Sequence, residues 1–125
     1  MGYRSDVVLA VSKHLQPHFL AALAKQPEAM RLVFSENDQL EKDYNDEGSL
    51  LVVWDDIKWY AESDPVIGAI QQFVDGCDLG EPLEGVDDPD EHFRFLRLGE
   101  DPNDVQESGY LHSDRLYWTR KIHVD

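Results

Sequence analysis

Two histidines near the N-terminus have a spacing that metal sites use. His14 and His18 are four residues apart, which places two imidazole rings on the same face of a helix. Such a site would need further ligands, and Pro17 lies between the pair. Ordinary surface histidines are therefore the favoured interpretation, and we predict neither a bound metal nor a cofactor.

A run of acids late in the chain has some features of a calcium-binding loop. It consists of Asp87, Asp88, Asp90 and Glu91. An EF-hand needs acids at alternate positions, a central glycine and a glutamate at position twelve. Pro89 interrupts the run and the register does not match, so a solvated charge run is the stronger interpretation.

Two further groups contain the residue types of acid–base or nucleophilic catalysis. Asp55 and Asp56 would point to opposite faces of a strand, so they would not act together on one substrate. The run His112-Ser113-Asp114 has the residue types of a catalytic triad, but neighbours in sequence rarely form one and no nucleophile elbow precedes it. We interpret it as a polar loop. Nothing in these patterns marks an enzyme.

The single cysteine, Cys77, has no partner for an intramolecular disulfide and cannot by itself build a zinc site. It follows a predicted helix C-terminus, where the helix dipole raises the pKa of a thiol. We predict an unreactive cysteine in a reducing, cytoplasmic setting. The chain shows neither a secretion leader nor an apolar run near 18 residues.

The net charge is strongly negative and unevenly distributed. The 125 residues include 26 acids and 11 bases, which gives −15. Four of the bases but only two of the acids lie in residues 1–35, so residues 36–125 carry a net −17. Such a field repels nucleic-acid phosphates and anionic membranes, and it attracts basic protein surfaces.

Three acidic segments interrupt otherwise well-patterned elements: Glu36–Glu47, Asp75–Glu91 and Glu100–Glu107. Solubility alone needs a net charge of only about 2–8 in a small domain. A partner-binding surface and generic solubility are the two interpretations of the excess. On the first, the partner-binding residues are Glu41, Asp43, Asp46, Glu47, Asp75, Asp78, Glu81, Glu84, Asp87, Asp88, Asp90, Glu91, Glu100, Asp101 and Asp104.

Aromatic side chains near these acids are candidate anchors for such an interface, since buried Trp and Tyr dominate binding energy. They are Tyr44, Trp54, Trp59, Tyr60 and Tyr110. Core packing is the alternative for each tryptophan, and it is the preferred interpretation for Trp118.

Hydrophobic patterning predicts an α+β protein whose residues 1–125 form a single acidic domain. Strands are predicted at Tyr3–Val11, Ser49–Trp54, His92–Leu98 and Arg115–Val124, the first buried on both faces. Ser12 is the predicted N-cap of a helix to about Gln26, and Pro27 begins a second, shorter helix. A further helix follows Asp64-Pro65 and ends at Gly76.

The connecting segments are predicted to be loops. Residues 36–48 and 75–91 are acidic loops, and a short helical turn runs from Asp101-Pro102 to Gly109. The second strand either continues through Asp55-Asp56 toward Trp59, with a bulge, or turns there into a hairpin; we favour the continuous strand. The resulting order is β-α-β-α-β-β. It predicts an antiparallel or mixed sheet of four strands, or five in the alternative, with two main helices on one face.

Three segments, spread over nearly the whole chain, resemble small acidic proteins of bacteriophages and prophages. They are Gly2–Val7, Trp54–Tyr60 with Arg97–Asp101, and Leu116–Ile122. This resemblance implies a phage accessory protein, a class that includes inhibitors of host defence such as anti-CRISPR proteins. It implies no catalytic residue.

The sequence thus predicts a non-enzymatic protein of the bacterial cytoplasm. In the leading hypothesis its acidic patches bind a basic surface of a host protein, such as the nucleic-acid-binding groove of a defence complex, and inhibit that protein. One alternative is a phage structural or accessory protein that self-assembles. Another is a small metal-dependent hydrolase that uses the carboxylates.

Overall fold

The computed structural model describes residues 2–119 and 122–124. Within these ranges the chain forms a main sheet, a separate hairpin and three helices. The strands are β1 (Ser5–Val11), β2 (Gln39–Tyr44), β3 (Ser49–Ile57), β4 (Phe93–Gly99), β5 (Val105–Gly109), β6 (Leu116–Trp118) and β7 (Ile122–Val124). The helices are α1 (Gln16–Ala24), α2 (Pro27–Phe34) and α3 (Pro65–Asp78), and a 3₁₀ turn spans Pro89–Glu91.

The main sheet has five strands in the order β2-β3-β1-β4-β5, and every neighbouring pair is antiparallel. The strand β1 is central because its side chains are buried on both faces, as its unbroken apolar run predicts. Val7 and Leu9 belong to one apolar cluster, whereas Val8 and Ala10 belong to another on the opposite face. The α+β class with an antiparallel sheet is confirmed.

The three helices cover one face of the sheet. Phe19 of α1, Val33 of α2 and Ile70 of α3 pack in one cluster with Trp54 and Phe95 of the sheet. On the opposite face, the smaller cluster includes Leu116 of β6, with Ile122 of β7 packed against it. The prediction that Arg115–Val124 forms a single strand of the main sheet is therefore wrong. It is a hairpin that covers the second face, and Arg120 and Lys121 within it lie outside the described residues.

Two segments predicted to be irregular are strands. The predicted loop 36–48 contains β2, an edge strand whose charged residues Glu41, Lys42 and Asp43 are exposed. Charged side chains are common on edge strands because they discourage pairing with another chain. The helical turn predicted to end at Gly109 is instead β5, which pairs with β4 after a turn at residues 101–103.

The favoured continuous, bulged second strand is confirmed. β3 runs through Asp55 and Asp56 to Ile57, and its register against β1 shifts between Ser5 and Val7. Asp56 has φ +56°, a conformation that aspartate tolerates better than most residues. Its N–H donates to Asp6 Oδ1 at 2.9 Å, which stabilises the bulge.

The helix termini are partly as predicted. Asp64 caps α3 by accepting from the N–H of Val66, and Pro65 is the first helical residue, as predicted. The predicted end at Gly76 is wrong, because α3 continues to Asp78. Ser12 Oγ accepts from the N–H of Leu15, so it caps a turn that precedes α1 rather than α1 itself.

Candidate functional site

The sheet has two ends that differ in chemistry. At one end of the sheet, β1 ends at Val11 and its neighbours β3 and β4 begin at Ser49 and Phe93; we call this the histidine end. At the opposite end, β1 begins and β4 turns into β5; we call this the Arg97 end. Asp64, the N-cap of α3, shares a cavity with Asp55, and so the first turn of α3 lies at the Arg97 end.

At the Arg97 end, one carboxylate is held by an arginine. Arg97 contacts both oxygens of Asp104, at 2.7 and 3.1 Å, and also donates to Ser5 Oγ. Tyr3 donates its hydroxyl proton to Asp104 at 2.7 Å. The bonds from Arg97 and Tyr3 hold the pKa of the Asp104 carboxyl below its usual value. Asp104 is therefore neutralised within the fold.

Other carboxylates at this end accept hydrogen bonds from the main chain. Asp101 accepts from the N–H of Asn103 at 2.9 Å, in the β4–β5 turn. Asp38 accepts from the N–H of Asp55 at 2.6 Å, beside the bulge. Desolvation, together with the nearby charges of Asp38 and Asp6, raises the pKa of Asp55. Glu100 is exposed, and its side chain has no hydrogen bond or ion pair with any described residue.

At the histidine end, the segment before β4 carries four of the predicted acids. The segment is fixed by its main chain: Tyr110 N–H donates to Asp90 O at 2.9 Å, and Pro89 is buried. The side chains of Asp87, Asp88, Asp90 and Glu91 form no hydrogen bond or ion pair with the described part of the chain. These four carboxylates are held in place by the fold yet remain available to a partner.

The β2–β3 turn brings a second group of acids to the same end. Glu47 and Glu91 line one cavity of about 370 Å³ with Lys13 and His14, which places this turn beside the acidic segment. Asp46, next to Glu47, is exposed. Two strand residues are engaged locally: Asp43 accepts from the N–H of Gly48, and Glu41 accepts from the side chain of Gln39.

The remaining predicted acids lie in the second half of α3 and in the segment that connects α3 to the 3₁₀ turn. Asp75 accepts from Gln71 at 2.9 Å, and Asp78 ends α3. Glu81 lines a groove together with Lys25, without an ion pair between them. Glu84 uses its main-chain oxygen to contact His18 Nε2 at 2.7 Å. Asp75 also lines a cavity with Arg97 and Asp104. The structure thus brings Asp46, Glu47 and the acids of residues 87–91 to the histidine end, and it places Glu100, Asp101 and Asp104 at the opposite end.

Most of the predicted aromatic anchors are core residues. Trp54, Trp59 and Tyr44 are buried. Tyr110, next to the acidic segment, is 65% exposed and is the one of these five that lies open at the histidine end. Trp118 is 38% exposed, so the core position preferred for it is wrong.

Cys77 lies in the last turn of α3, not beyond the helix as predicted. It is buried, and burial raises the pKa of its thiol to about 12. A thiol that remains protonated at neutral pH is a poor nucleophile.

The sequence analysis missed a polar row at the histidine end. Ser12 Oγ contacts His92 Nδ1 at 2.8 Å, and Ser49 Oγ contacts His112 Nε2 at 2.9 Å. The pairing of Val11 with Leu50 in β1 and β3 brings the two serines beside each other. The contact between Ser49 and His112 could not be predicted from local sequence, because the two residues are 63 positions apart. The only signal was a polar residue, Ser49, at the start of an apolar strand.

Metal binding has no structural support among the described residues, which contain no group of three suitable side chains. No helix within residues 2–119 is long and apolar enough to cross a membrane. Comparisons with protein-family models, curated proteins and solved structures find no match for this chain.

Proposed function

We propose that this chain is a binding protein that covers a basic surface of a protein partner with the histidine end of its sheet. The observation that carries the proposal is the state of Asp87, Asp88, Asp90 and Glu91. These carboxylates lie on a segment fixed by its main chain and have no cationic partner among the described residues. Fixed charges bind with a smaller loss of conformational entropy than charges on a flexible tail.

The β2–β3 turn enlarges this surface. Glu47 lines the same cavity as Glu91, and the exposed Asp46 is its neighbour in the turn, so the acidic surface extends beyond residues 87–91. Exposed Tyr110 follows β5 at the same end and supplies an aromatic anchor. Carboxylates spaced along a rigid edge resemble the phosphates of a nucleic acid in charge. A nucleic-acid-binding groove of a host protein is therefore the partner surface that we propose, in line with the resemblance to phage inhibitors.

The test compares two variants with the same net charge. The first neutralises the histidine end by Asp87→Asn, Asp88→Asn, Asp90→Asn and Glu91→Gln. The control neutralises four exposed acids elsewhere, by Glu28→Gln, Glu36→Gln, Glu62→Gln and Glu100→Gln. Each protein is immobilised and used to capture partners from a bacterial lysate at low salt. We expect the wild type and the control to retain a common basic protein that the first variant loses.

Affinity for the captured protein is then measured against salt concentration. Steep weakening is expected, because the Debye length falls from about 10 Å at 0.1 M to about 3 Å at 1 M salt. Equal retention by both variants, or an affinity that does not change with salt, would contradict the proposal.

A further inference from the structure

Three residues at the histidine end have the connectivity of a catalytic triad. Ser49 Oγ lies 2.9 Å from His112 Nε2, and His112 Nδ1 lies 3.5 Å from Glu47 Oε2. We propose that Ser49 is the nucleophile of an acyl-ester hydrolase, with His112 as general base and Glu47 as the residue that orients His112. This activity is separate from the binding function proposed above.

One tautomer of His112 satisfies both contacts. If Nδ1 carries the proton, it lies at ion-pair distance from Glu47, and the unprotonated Nε2 accepts from the Ser49 hydroxyl. The ring of Tyr44 packs edge-on against His112, with centroids 5.2 Å apart, and restricts its rotation. The longer Glu47 contact is typical of a site without substrate, where catalytic hydrogen bonds often tighten only on binding.

A cavity gives a small substrate access to the nucleophile. It has a volume of about 370 Å³ and is lined by Ser49, Glu47, Lys13, His14 and Leu111, among others. Leu111 is its apolar wall, which suits a short acyl chain. The main-chain N–H groups of Lys13 and His14 donate to no acceptor among the described residues. They are therefore the donors available to a developing oxyanion.

The proposed chemistry follows the general serine mechanism. Ser49 Oγ bonds to the carbonyl carbon as its proton passes to His112 Nε2. The bond to the leaving alkoxide then breaks, and His112 returns the proton to that oxygen, which leaves an acyl-enzyme. Water, deprotonated by His112, attacks the acyl carbon. The bond between that carbon and Ser49 Oγ then breaks, and His112 returns the proton to Ser49 Oγ, which releases a carboxylic acid and free Ser49.

The neighbouring serine provides an internal control. Ser12 contacts His92 at 2.8 Å and lines the same cavity, but it also accepts the N–H of Leu15 as a turn cap. No carboxylate of the described chain forms an ion pair with His92. Ser12 therefore has a histidine but no oriented base, and we assign it a structural role.

The experiment treats the intact protein with a fluorophosphonate probe and locates the modified residue by peptide mass spectrometry. We expect modification at Ser49, loss of labelling in Ser49→Ala, and normal labelling in Ser12→Ala. His112→Asn should slow labelling on the order of a hundredfold. Circular dichroism checks that each variant is folded. Absence of label at Ser49 in the folded wild type, or label at Ser12 instead, would overturn the proposal.

Glu47 is tested as a positioning residue. In Glu47→Gln, kcat for the hydrolysis of p-nitrophenyl acetate should fall roughly tenfold while KM changes little, because Glu47 orients the base and does not bind the substrate. The matched control is Asp114→Asn, which removes an exposed carboxylate two residues from His112 that forms no ion pair with the described chain. An unchanged kcat in Glu47→Gln would refute the assignment of Glu47.

Discussion

Both ends of the sheet carry aspartate and glutamate side chains, but the contacts of these carboxylates differ between the two ends. At the Arg97 end, Asp104 is bound to an arginine, and Asp6, Asp38 and Asp101 accept main-chain hydrogen bonds. At the histidine end, the carboxylates of residues 87–91 have no such partner within the described chain. A count of acids therefore does not reveal their role, because the role depends on which donors the fold leaves free.

The main chain explains the difference. At the Arg97 end, the bulge at Asp56 and the β4–β5 turn leave N–H groups that carboxylates satisfy. At the histidine end, carbonyl oxygens already satisfy comparable N–H groups: Ser12 N–H donates to His92 O, and Tyr110 N–H donates to Asp90 O. The carboxylates of residues 87–91 have no structural task within the described chain, so their cost in charge repulsion points to a function outside the fold.

The largest effect on stability is expected at Arg97. Replacing it in Arg97→Met removes the contacts to Asp104 and Ser5 and leaves a half-buried carboxylate without its cation. We expect the free energy of unfolding to fall by about 2 kcal/mol, measured by urea denaturation.

The control for this variant is Arg115→Met, since Arg115 is exposed and its side chain contacts no acid among the described residues. Its unfolding free energy should change by less than about 0.5 kcal/mol. Equal effects of the two substitutions would show that the Arg97 end is not held by its carboxylates.

A second prediction concerns acid pH. The pKa of Asp104 is lowered below its usual value of 3.8 in the folded protein, so the ionised group stabilises the fold above that pH. The stabilisation is lost as pH falls through the lowered pKa. The difference in unfolding free energy between wild type and Asp104→Asn should therefore be constant above about pH 5 and shrink at lower pH.

Asp114→Asn is the matched control, because Asp114 is exposed and forms no ion pair with the described chain. Its unfolding free energy should differ from that of wild type by less than about 0.5 kcal/mol. A constant difference for Asp104→Asn would contradict the assigned role of Arg97.

The sequence predicted the parts of the fold that depend on local signals. The apolar run of β1 places it at the centre of the sheet, and Asp64-Pro65 marks the start of α3. The sequence failed for β2 and β5, which are edge strands with few buried residues. Their pairing with β3 and β4 is a long-range contact that overrides a polar, loop-like composition.

The site was harder to predict than the fold. Charge patterning identified Asp87–Glu91, because a run of acids is visible in the sequence itself. Charge patterning could not distinguish Asp104 from the unpaired acids, because only the folded structure shows its ion pair with Arg97. The contact between Ser49 and His112 could not be predicted from the sequence, because it forms only when the chain between β5 and β6 folds back over the end of β3.

A third prediction tests the histidine end without a partner. Neutralising Asp87, Asp88, Asp90 and Glu91 should raise the unfolding free energy by about 0.5–1 kcal/mol at low salt, because it relieves repulsion among unpaired charges. The gain should vanish at high salt, where these charges are screened. Loss of stability would show that the four carboxylates support the fold, as those at the Arg97 end do.

The smallest effect is expected at Asp55, where the Arg97 end contains an unfavourable charge. Desolvation, with Asp38 and Asp6 nearby, raises the pKa of Asp55, so its ionised form destabilises the folded protein. Asp55→Asn should therefore raise the unfolding free energy by a few tenths of a kcal/mol at neutral pH, because the group is exposed and largely screened.

This gain should disappear as the pH falls through the raised pKa, because wild-type Asp55 is then uncharged as well. The comparison is Asp46→Asn at the histidine end, where asparagine tolerates the φ of +57° as well as aspartate does. Urea denaturation across the acid range measures both variants. If Asp55→Asn lowers stability at neutral pH, its carboxylate is needed by the fold, and the raised pKa has been assigned to the wrong cause.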